Sequence, residues 1–247
     1  PVMNEYLKLP WPKMFAEFIV IASGVVFGLL ADEWRQDLSD RERERQVLVE
    51  ILMDLEVDSA ELAALADRND MWDQAGLWAY RHKGQVIPDD SAASALRPLF
   101  FYREYFPSST AFMGLRDSGE LTLIKDTSLR RAIVTYFGEH QPDLKETYDR
   151  FLQQAYYGNV ESRLQIMDFD LPKDAVTTRD RLELSLVRPW HQISEDRSVI
   201  TSLVQGQAVW GSTLNLLSVV PLQEENQSLK VQISNFVGSE AVEDLLK

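Results

Sequence analysis

The chain has 247 residues, a formal net charge of −14 and a pI near 4.7, and it contains no cysteine. The acidic balance argues against nucleic acid as a partner, because nucleic acid binding needs clustered lysine and arginine. It also argues against a chain that lies flat on anionic lipid. The lack of cysteine excludes disulfides, thiolate metal sites and cysteine nucleophiles.

The first element is an apolar run over residues 14–31, in which Glu17 is the only charged residue. A helix of about 20 apolar residues crosses the hydrocarbon core of a bilayer, with a lower limit near 17. Trp11 and Trp34 bracket the run, as interfacial anchors do. We therefore predict a tail over residues 1–13 and a transmembrane anchor over residues 14–34, with the lipid bilayer as a partner.

This run has two other interpretations. A helix buried in a soluble core is the alternative that stays open. A cleaved signal peptide fits badly, because no small-residue cleavage site precedes the acidic stretch. Glu17 lies one turn into the anchor, where it can reach the headgroups or pair with a partner.

Small residues within the anchor predict a helix-packing face. Gly24 and Gly28 form a Gly-x-x-x-Gly pair, and Ala22 and Ser23 lie beside it. Such faces let two membrane helices approach closely. We predict that Gly24, Gly28 and Ser23 contact another transmembrane helix, although the pair also arises by chance in membrane helices.

After the anchor, apolar residues recur at three- and four-residue spacing, which is typical of an amphipathic helix. They are Leu48, Ile51, Leu52, Leu55, Leu62 and Leu65. We predict a long stalk-like helix over residues 35–70. If the anchor continues into it, one helix of roughly 85 Å runs from Pro12 to Asn69. A kink near Ser39, a potential N-cap with Glu42 three residues later, is the alternative.

Residues 71–247 are predicted to form a helical extramembrane domain, so the predicted fold class is all-α with almost no sheet. Gly119 and Gly138 are predicted to end helices, Asp126 or Thr127 to begin one, and Pro221 to kink one. The predicted helices cover residues 71–80, 91–105 (bent at Pro98), 111–117, 127–137, 142–167, 181–191, 196–217 and 224–237. Loops are predicted over residues 82–90 and 168–180.

Two stretches resemble a bacterial family of single-pass membrane proteins of unknown function. Residues 16–37 resemble its anchor, with Glu17, Gly24 and Trp34 at matching positions, whereas Asp32-Glu33 replaces paired asparagines and Ala16 replaces a glycine. Residues 108–137 resemble its central motif. The matching residues there are Ser118, Gly119, Leu123, Ile124, Asp126, Leu129 and Tyr136. The resemblance implies an anchor with a helical domain and implies no activity.

The sequence offers weak support for chemistry. His82, His140 and His191 are far apart, and none has the ligand spacing of a metal site. Ser118-Gly119 lacks the nucleophile-elbow pattern and is predicted to be a turn. Asp168 and Asp170 lack the glycine and distal glutamate of a calcium loop. We predict no catalytic residue, no cofactor and no metal, and hence no enzyme.

Aromatic residues crowd the segment 100–106 together with arginine. Aromatics and arginine dominate interface hot spots, although a structural core is the simpler explanation. Contiguous positions cannot all face one core, so we predict that one or two of them face a partner or the membrane surface. The candidates are Phe100, Phe101, Tyr102, Arg103, Tyr105 and Phe106.

These features predict a non-catalytic, membrane-anchored accessory or scaffold subunit of a larger membrane complex, photosynthetic or respiratory. Its partners are then other membrane-protein subunits. The alternative is a membrane-anchored, ligand-sensing helical domain. The arginines after the anchor favour a cytoplasmic domain by the positive-inside rule. The basic N-terminal flank usual in the resembling family favours the other side, and we predict a bacterial inner-membrane protein with a periplasmic C-terminal domain.

Overall fold

A computed structural model of the chain describes residues 11–156, 165–170, 183–203 and 209–238. Within these ranges the fold is all-α apart from one short antiparallel strand pair, as the sequence predicts. The element that organises it is α1, Trp11–Arg81, which runs through the anchor and the predicted stalk without a break. Its 71 residues correspond to about 107 Å of helix.

The two halves of α1 have different surroundings. Residues 14–39 are exposed apart from a half-buried Ala22. From Glu44 onward the apolar stripe is buried, and Leu48, Leu55 and Leu65 are fully inaccessible. We call the packed helices from Glu44 to Val237 the head. Most of the predicted stalk, residues 35–70, is thus the central helix of the head. Only residues 32–43 lie between the apolar run and the buried part of α1.

The helix is not interrupted at Ser39, and it continues through residues 71–80, which the sequence also predicts to be helical, to Arg81. The edge of the head nearest to the apolar run packs beside this segment. Lys125 Nζ lies 3.9 Å from Asp37 Oδ1, Arg43 pairs with Glu120, and the Lys125 amide donates to Glu44 at 2.6 Å. The head therefore begins close to the end of the apolar run.

Two short helices follow α1. They are α2, Asp89–Leu96, continued by a 3₁₀ turn over Arg97–Phe100, and α3, Thr110–Ser118. The helix predicted to reach residue 105 ends at Phe100, and Phe101 is already extended. The α-helical part gives way to the 3₁₀ turn just before Pro98, whose ring disfavours the interior of an α-helix. Gly119 ends α3 with φ +77°, a left-handed conformation that suits glycine.

The next helix continues through two positions where the sequence predicts a helix boundary. Asp126 caps α4, Thr127–Thr135, by accepting from the amides of Ser128 and Leu129, as predicted. The helix does not stop before Gly138: it passes through a π-helical turn, Tyr136–His140, into α5, Gln141–Phe151, and a second π turn, Leu152–Tyr156. A wider π turn accommodates Pro142, whose ring has no amide to offer the preceding turn.

A short pair of strands lies where the sequence predicts a loop and parts of two helices. Strand β1, Met167–Asp170, pairs antiparallel with β2, Glu183–Leu186, with Met167 opposite Leu186 and Asp170 opposite Glu183. The helix predicted over residues 181–191 is wrong at its start, because residues 183–186 are extended. The helix begins only after Pro189, as α6, Trp190–Glu195.

The C-terminal part returns along α1. It comprises α7, Arg197–Ile200; α8, Val209–Leu214; a π turn, Asn215–Val219; and α9, Val220–Val237. We call the continuous helical run from Val209 to Val237 the rod. Pro221 does not interrupt the rod, because it lies in the first turn of α9 after the π turn. The helix ends at Val237, as predicted.

Buried amides fix the position of this rod against α1. Asn215 Nδ2 donates to the Ala66 carbonyl at 3.1 Å and to Asp70 Oδ1 at 2.8 Å. Asn226 Nδ2 donates to the Leu55 carbonyl at 3.1 Å. Later residues of the rod thus meet earlier residues of α1, and the two run antiparallel. At Gly211 a Cβ atom would lie 3.1 Å from the carbonyl oxygen of Asn69, so the helices cross too closely there for a side chain.

Candidate functional site

The predicted anchor is a bare apolar helix. Its 18-residue window has a mean hydropathy of 2.2, and none of it is buried. Phe18, Val20 and Phe27 are each at least two-thirds exposed. Within the described residues, the structure has one helix that is long and apolar enough to cross a membrane. Leaving such a side chain in water, rather than burying it, costs about 1.5–3 kcal/mol. The described part of the chain does not bury this run.

The predicted packing residues lie on this bare helix. No atom lies within 4 Å of a Cβ built on Gly24 or Gly28, and the Ser23 hydroxyl donates to the Val20 carbonyl at 2.9 Å. Trp34 is 68% exposed. The side chain of Trp11 lies outside the described residues. The helix-packing and interface roles of these residues stay predictions.

The aromatic segment 100–106 divides between core and surface. Phe100 and Tyr105 are buried, so contrary to the prediction their rings offer no surface to a partner. The side chains of Tyr102 and Phe106 are exposed, and the exposed fraction of Phe106 is 63%. Phe101 is half-buried. One guanidinium nitrogen of Arg103, Nη2, donates to both carboxylate oxygens of Glu61 at 2.8 Å. This ion pair holds the segment against α1. The remaining candidates with exposed rings are therefore Tyr102 and Phe106.

Tyr105 belongs to a buried polar network that the sequence did not reveal. Its hydroxyl donates to Asp58 Oδ1 at 2.7 Å, and the Tyr136 hydroxyl donates to Asp58 Oδ2. Asn226 Nδ2 in turn donates to the Tyr136 oxygen at 2.8 Å. Burial raises the pKa of the Asp58 carboxyl above its ordinary value, while these hydrogen bonds oppose the rise. The network joins α1, the segment after α2, the first π turn and α9.

This network is structural rather than a reaction site. Burial, with the Asp58 charge, raises the pKa values of the Tyr105 and Tyr136 hydroxyls, so both stay protonated donors. Asp58 and Tyr105 have no solvent-accessible surface, which leaves no room for a substrate to approach the carboxylate. We interpret the cluster as the part of the core that specifies how four segments meet.

A surface groove of about 260 Å³ lies between α5 and the rod formed by α8 and α9. The π turn Tyr136–His140 supplies His140, and the π turn Asn215–Val219 supplies Leu217 and Ser218. His140 Nδ1 lies 2.7 Å from Glu225 Oε2 across the groove. Helical π turns occur frequently at functional sites, and two of them converge here. The full lining is His140, Asp143, Leu144, Leu217, Ser218, Pro221, Leu222 and Glu225.

The groove has an apolar floor and an acidic rim. Leu144 and Leu222 are buried, at 3% and 4% exposure, and they form the base with Pro221. Asp143 on α5 and Glu225 on α9 supply carboxylates from the two walls. Among the described residues no group of three His, Cys, Asp or Glu side chains is arranged to hold a metal ion. The chemistry offered is acceptor oxygens above an apolar base.

The rod beside the groove exposes several large apolar side chains. Leu216 and Leu217 are 70% and 73% exposed, and Val209 and Trp210 are about half exposed. Trp210 also packs against Phe151, with 6.3 Å between ring centroids. Exposed apolar surface of this kind, rimmed by polar groups, marks interaction sites. We call Val209, Trp210, Leu216 and Leu217 the apolar patch.

Neither the groove nor the apolar patch is predicted from the sequence. The available signals were Pro142 and Pro221, each inside an otherwise helical pattern, and the adjacent pair Leu216-Leu217. Of the three histidines, His140 lies at the groove, whereas His82 stacks on Trp78 with 4.6 Å between ring centroids. Asp168 lies in β1. No protein-family model, characterised protein or solved structure matches the chain, so the family resemblance of residues 16–37 and 108–137 stays a prediction.

Proposed function

We propose that this chain is a non-catalytic, membrane-anchored accessory subunit that presents a rigid helical interaction module to a larger membrane protein complex. The observation that carries the proposal is α1 itself. Its exposed apolar run continues, without a change of secondary structure, into the buried centre of the head. A helix shared by anchor and core transmits position directly, whereas a flexible linker does not.

The geometry of α1 also sets the height of the interaction surface. Asn215, next to the apolar patch, contacts Ala66, which lies 35 residues after Ala31. That separation corresponds to about 52 Å along the helix. With the apolar run in a bilayer, the apolar patch then lies far above the headgroups, where extrinsic domains of other membrane proteins are found. Lipid cannot cover it at that height.

The side of the membrane is also proposed. We place the head in the periplasm of a bacterial inner-membrane protein, following the basic N-terminal flank formed by Lys8 and Lys13. Two of the arginines that oppose this orientation are paired with carboxylates, Arg35 with Asp32 at 3.4 Å and Arg43 with Glu120. A photosynthetic or respiratory identity of the complex stays a prediction.

Replacing the two glycines of the packing face by larger residues tests the proposal. Replacing Gly24 and Gly28 together by leucine removes the close approach that a Gly-x-x-x-Gly face permits. We expect these changes to lower the amount of partner that co-purifies from native membranes by about tenfold, the effect of about 1.4 kcal/mol in association. Native-gel separation followed by mass spectrometry measures that amount.

The matched control is Val26→Leu, at the same depth. Val26 lies two residues from each glycine, about 200° around the helix, so this change should leave co-purification at the wild-type level. Equal recovery with the glycine variant and the control would contradict the packing role. A wild-type chain that migrates alone would contradict the accessory-subunit proposal as a whole.

A ligand-sensing module is the second candidate, and the groove is the observation that favours it. Pockets for drug-sized ligands usually measure about 300–1,000 Å³, whereas this groove measures about 260 Å³. It is therefore sized for a single side chain or a very small ligand. The exposed leucines beside it favour a protein surface as the occupant, and we retain the accessory subunit as the better proposal.

A further inference from the structure

We propose that the groove between α5 and α9 receives a lysine or arginine side chain of the partner protein, with apolar residues next to it. The inference rests on the proposed function and names the chemistry of the partner surface. Three properties of the groove carry it: carboxylate oxygens at its rim that have no partner among the described residues, an apolar base that suits methylene groups, and neighbouring apolar side chains that the described part of the chain leaves exposed.

The rim selects for positive charge. Glu225 Oε2 is 2.7 Å from His140 Nδ1, while its second oxygen has no hydrogen-bond partner within the described part of the chain. Asp143 likewise has no ion pair with another described residue. Two carboxylates face the groove from opposite walls, on a chain whose net charge is −14. A cation between them gains charge-assisted hydrogen bonds, which are about twice as strong as neutral ones.

The base selects for a cation on an apolar stem. Leu144 and Leu222 are almost wholly buried beneath the groove, and Pro221 flanks them. Lysine and arginine bury their methylene stems on such surfaces while the charged group reaches polar atoms at the edge. The volume of about 260 Å³ suits one such side chain. A hydrated inorganic cation would gain nothing from the leucines.

The apolar patch identifies the source of the cation as a protein. Leu216 and Leu217 are 70% and 73% exposed, and a free amine in the groove would leave them in water. Interface hot spots consist of a filled pocket surrounded by contacts that exclude solvent. The patch and the groove share the rod from Val209 to Val237, so one partner surface can cover both. The patch lies about 52 Å along α1 from the apolar run, a distance that lipid headgroups do not reach when α1 is upright in the bilayer.

Photo-cross-linking in native membranes tests the inference with the full chain. A photoreactive phenylalanine analogue, p-benzoylphenylalanine, replaces Leu217, and the cross-linked partner peptide is sequenced by mass spectrometry. We expect a peptide with lysine or arginine within two residues of the cross-link and with apolar neighbours. In this background the double change Asp143→Asn and Glu225→Gln should lower the cross-link yield about tenfold or more, because the partner's cation loses two charge-assisted hydrogen bonds.

The matched control is Glu224→Gln, which removes an exposed carboxylate next to Glu225 that does not line the groove. It should retain the wild-type yield. The groove carboxylates are not in the core, so circular dichroism melting should show folded variants in every case. Equal yields from the double variant and the control would overturn the inference.

The other outcomes separate this inference from the proposed function. A cross-link to a partner through a peptide without lysine or arginine overturns the inference and leaves the accessory-subunit proposal intact. A lipid adduct at position 217, with a partner still present on the native gel, does the same. A chain that migrates alone and yields only adducts within itself contradicts the proposed function, and the inference falls with it.

Discussion

Replacing Asp58 by alanine should lower the free energy of unfolding by about 3–5 kcal/mol. The carboxylate accepts hydrogen bonds from the hydroxyls of Tyr105 and Tyr136, and each buried donor left unsatisfied costs ~1–3 kcal/mol. Asn226, which donates to Tyr136 at 2.8 Å, loses its fixed partner as well. Urea denaturation of the head followed by circular dichroism measures the change.

The control for this prediction is Asp67→Ala. Asp67 is an exposed aspartate on the same helix, and exposed substitutions usually change stability by no more than about 0.5 kcal/mol. If Asp58→Ala were as mild as Asp67→Ala, the network would not hold the four segments together, and our interpretation of it would be wrong.

The same carboxyl gives the network a defined pH dependence. Its pKa in the folded protein is raised above the ordinary value of 3.8 because burial disfavours the charge. Between 3.8 and the raised pKa the folded state binds more protons than the unfolded state, so this group adds stability as the pH falls. We expect the stability of the wild type relative to Asp58→Asn to increase on acidification and to decrease as the pH rises through the raised pKa. A difference that is constant from pH 7 to pH 4 would contradict the raised pKa.

Replacing Trp72 by alanine should cost about 3–5 kcal/mol, the usual effect of removing a large buried aromatic ring. Trp72 is fully inaccessible, and its indole Nε1 lies 2.9 Å from the Pro98 carbonyl and 3.0 Å from that of Phe101. It therefore fixes the end of the 3₁₀ turn as well as filling the core. Hydrogen exchange should accelerate over residues 97–105 in a variant that remains folded.

Trp210 supplies the matched control, because it is the same residue type at 50% exposure. Trp210→Ala should cost less than about 1 kcal/mol, and it should reduce cross-linking from position 217, since Trp210 belongs to the apolar patch. Comparable destabilisation by the two tryptophan variants would mean that the core does not depend on Trp72 as described.

Local patterns predicted the parts of the fold that depend on nearby residues. The stripe from Leu48 to Leu65 has a helical period, and the buried half of α1 follows it. Asp126 caps α4 and Gly119 ends α3, because capping and left-handed conformations depend on a few adjacent residues. The exposed apolar run from residue 14 to residue 31 was predicted for the same reason: hydropathy is a property of the segment itself.

Elements that depend on distant contacts were not predictable in this way. Gly138 and Pro221 usually mark helix ends, but here π turns carry the helices past Pro142 and Pro221. The strands Met167–Asp170 and Glu183–Leu186 have four residues each, too few for alternation to be recognised against a helical background.

The groove was least accessible to sequence analysis. It brings His140 and Asp143 against residues 217–225, about 80 positions later in the chain, and no local pattern encodes such a contact. The aromatic segment shows the same limit on a smaller scale. Composition placed Phe100, Tyr102 and Tyr105 together as interface candidates, but the fold decides that Phe100 and Tyr105 are buried while Tyr102 is exposed.

We propose that one continuous helix holds the interaction surface far above the membrane, and the distances of two labelled positions from the bilayer check this proposal. The chain has no cysteine, so Leu217→Cys and Lys125→Cys each provide a single labelling site for energy transfer to headgroup acceptors in a nanodisc. Lys125 lies beside Asp37, close to the end of the apolar run. We expect a label at about 50 Å from the headgroup plane for position 217 and at about 10 Å for position 125. Two labels at similar heights, or a label at position 217 within about 20 Å of the bilayer, would contradict it.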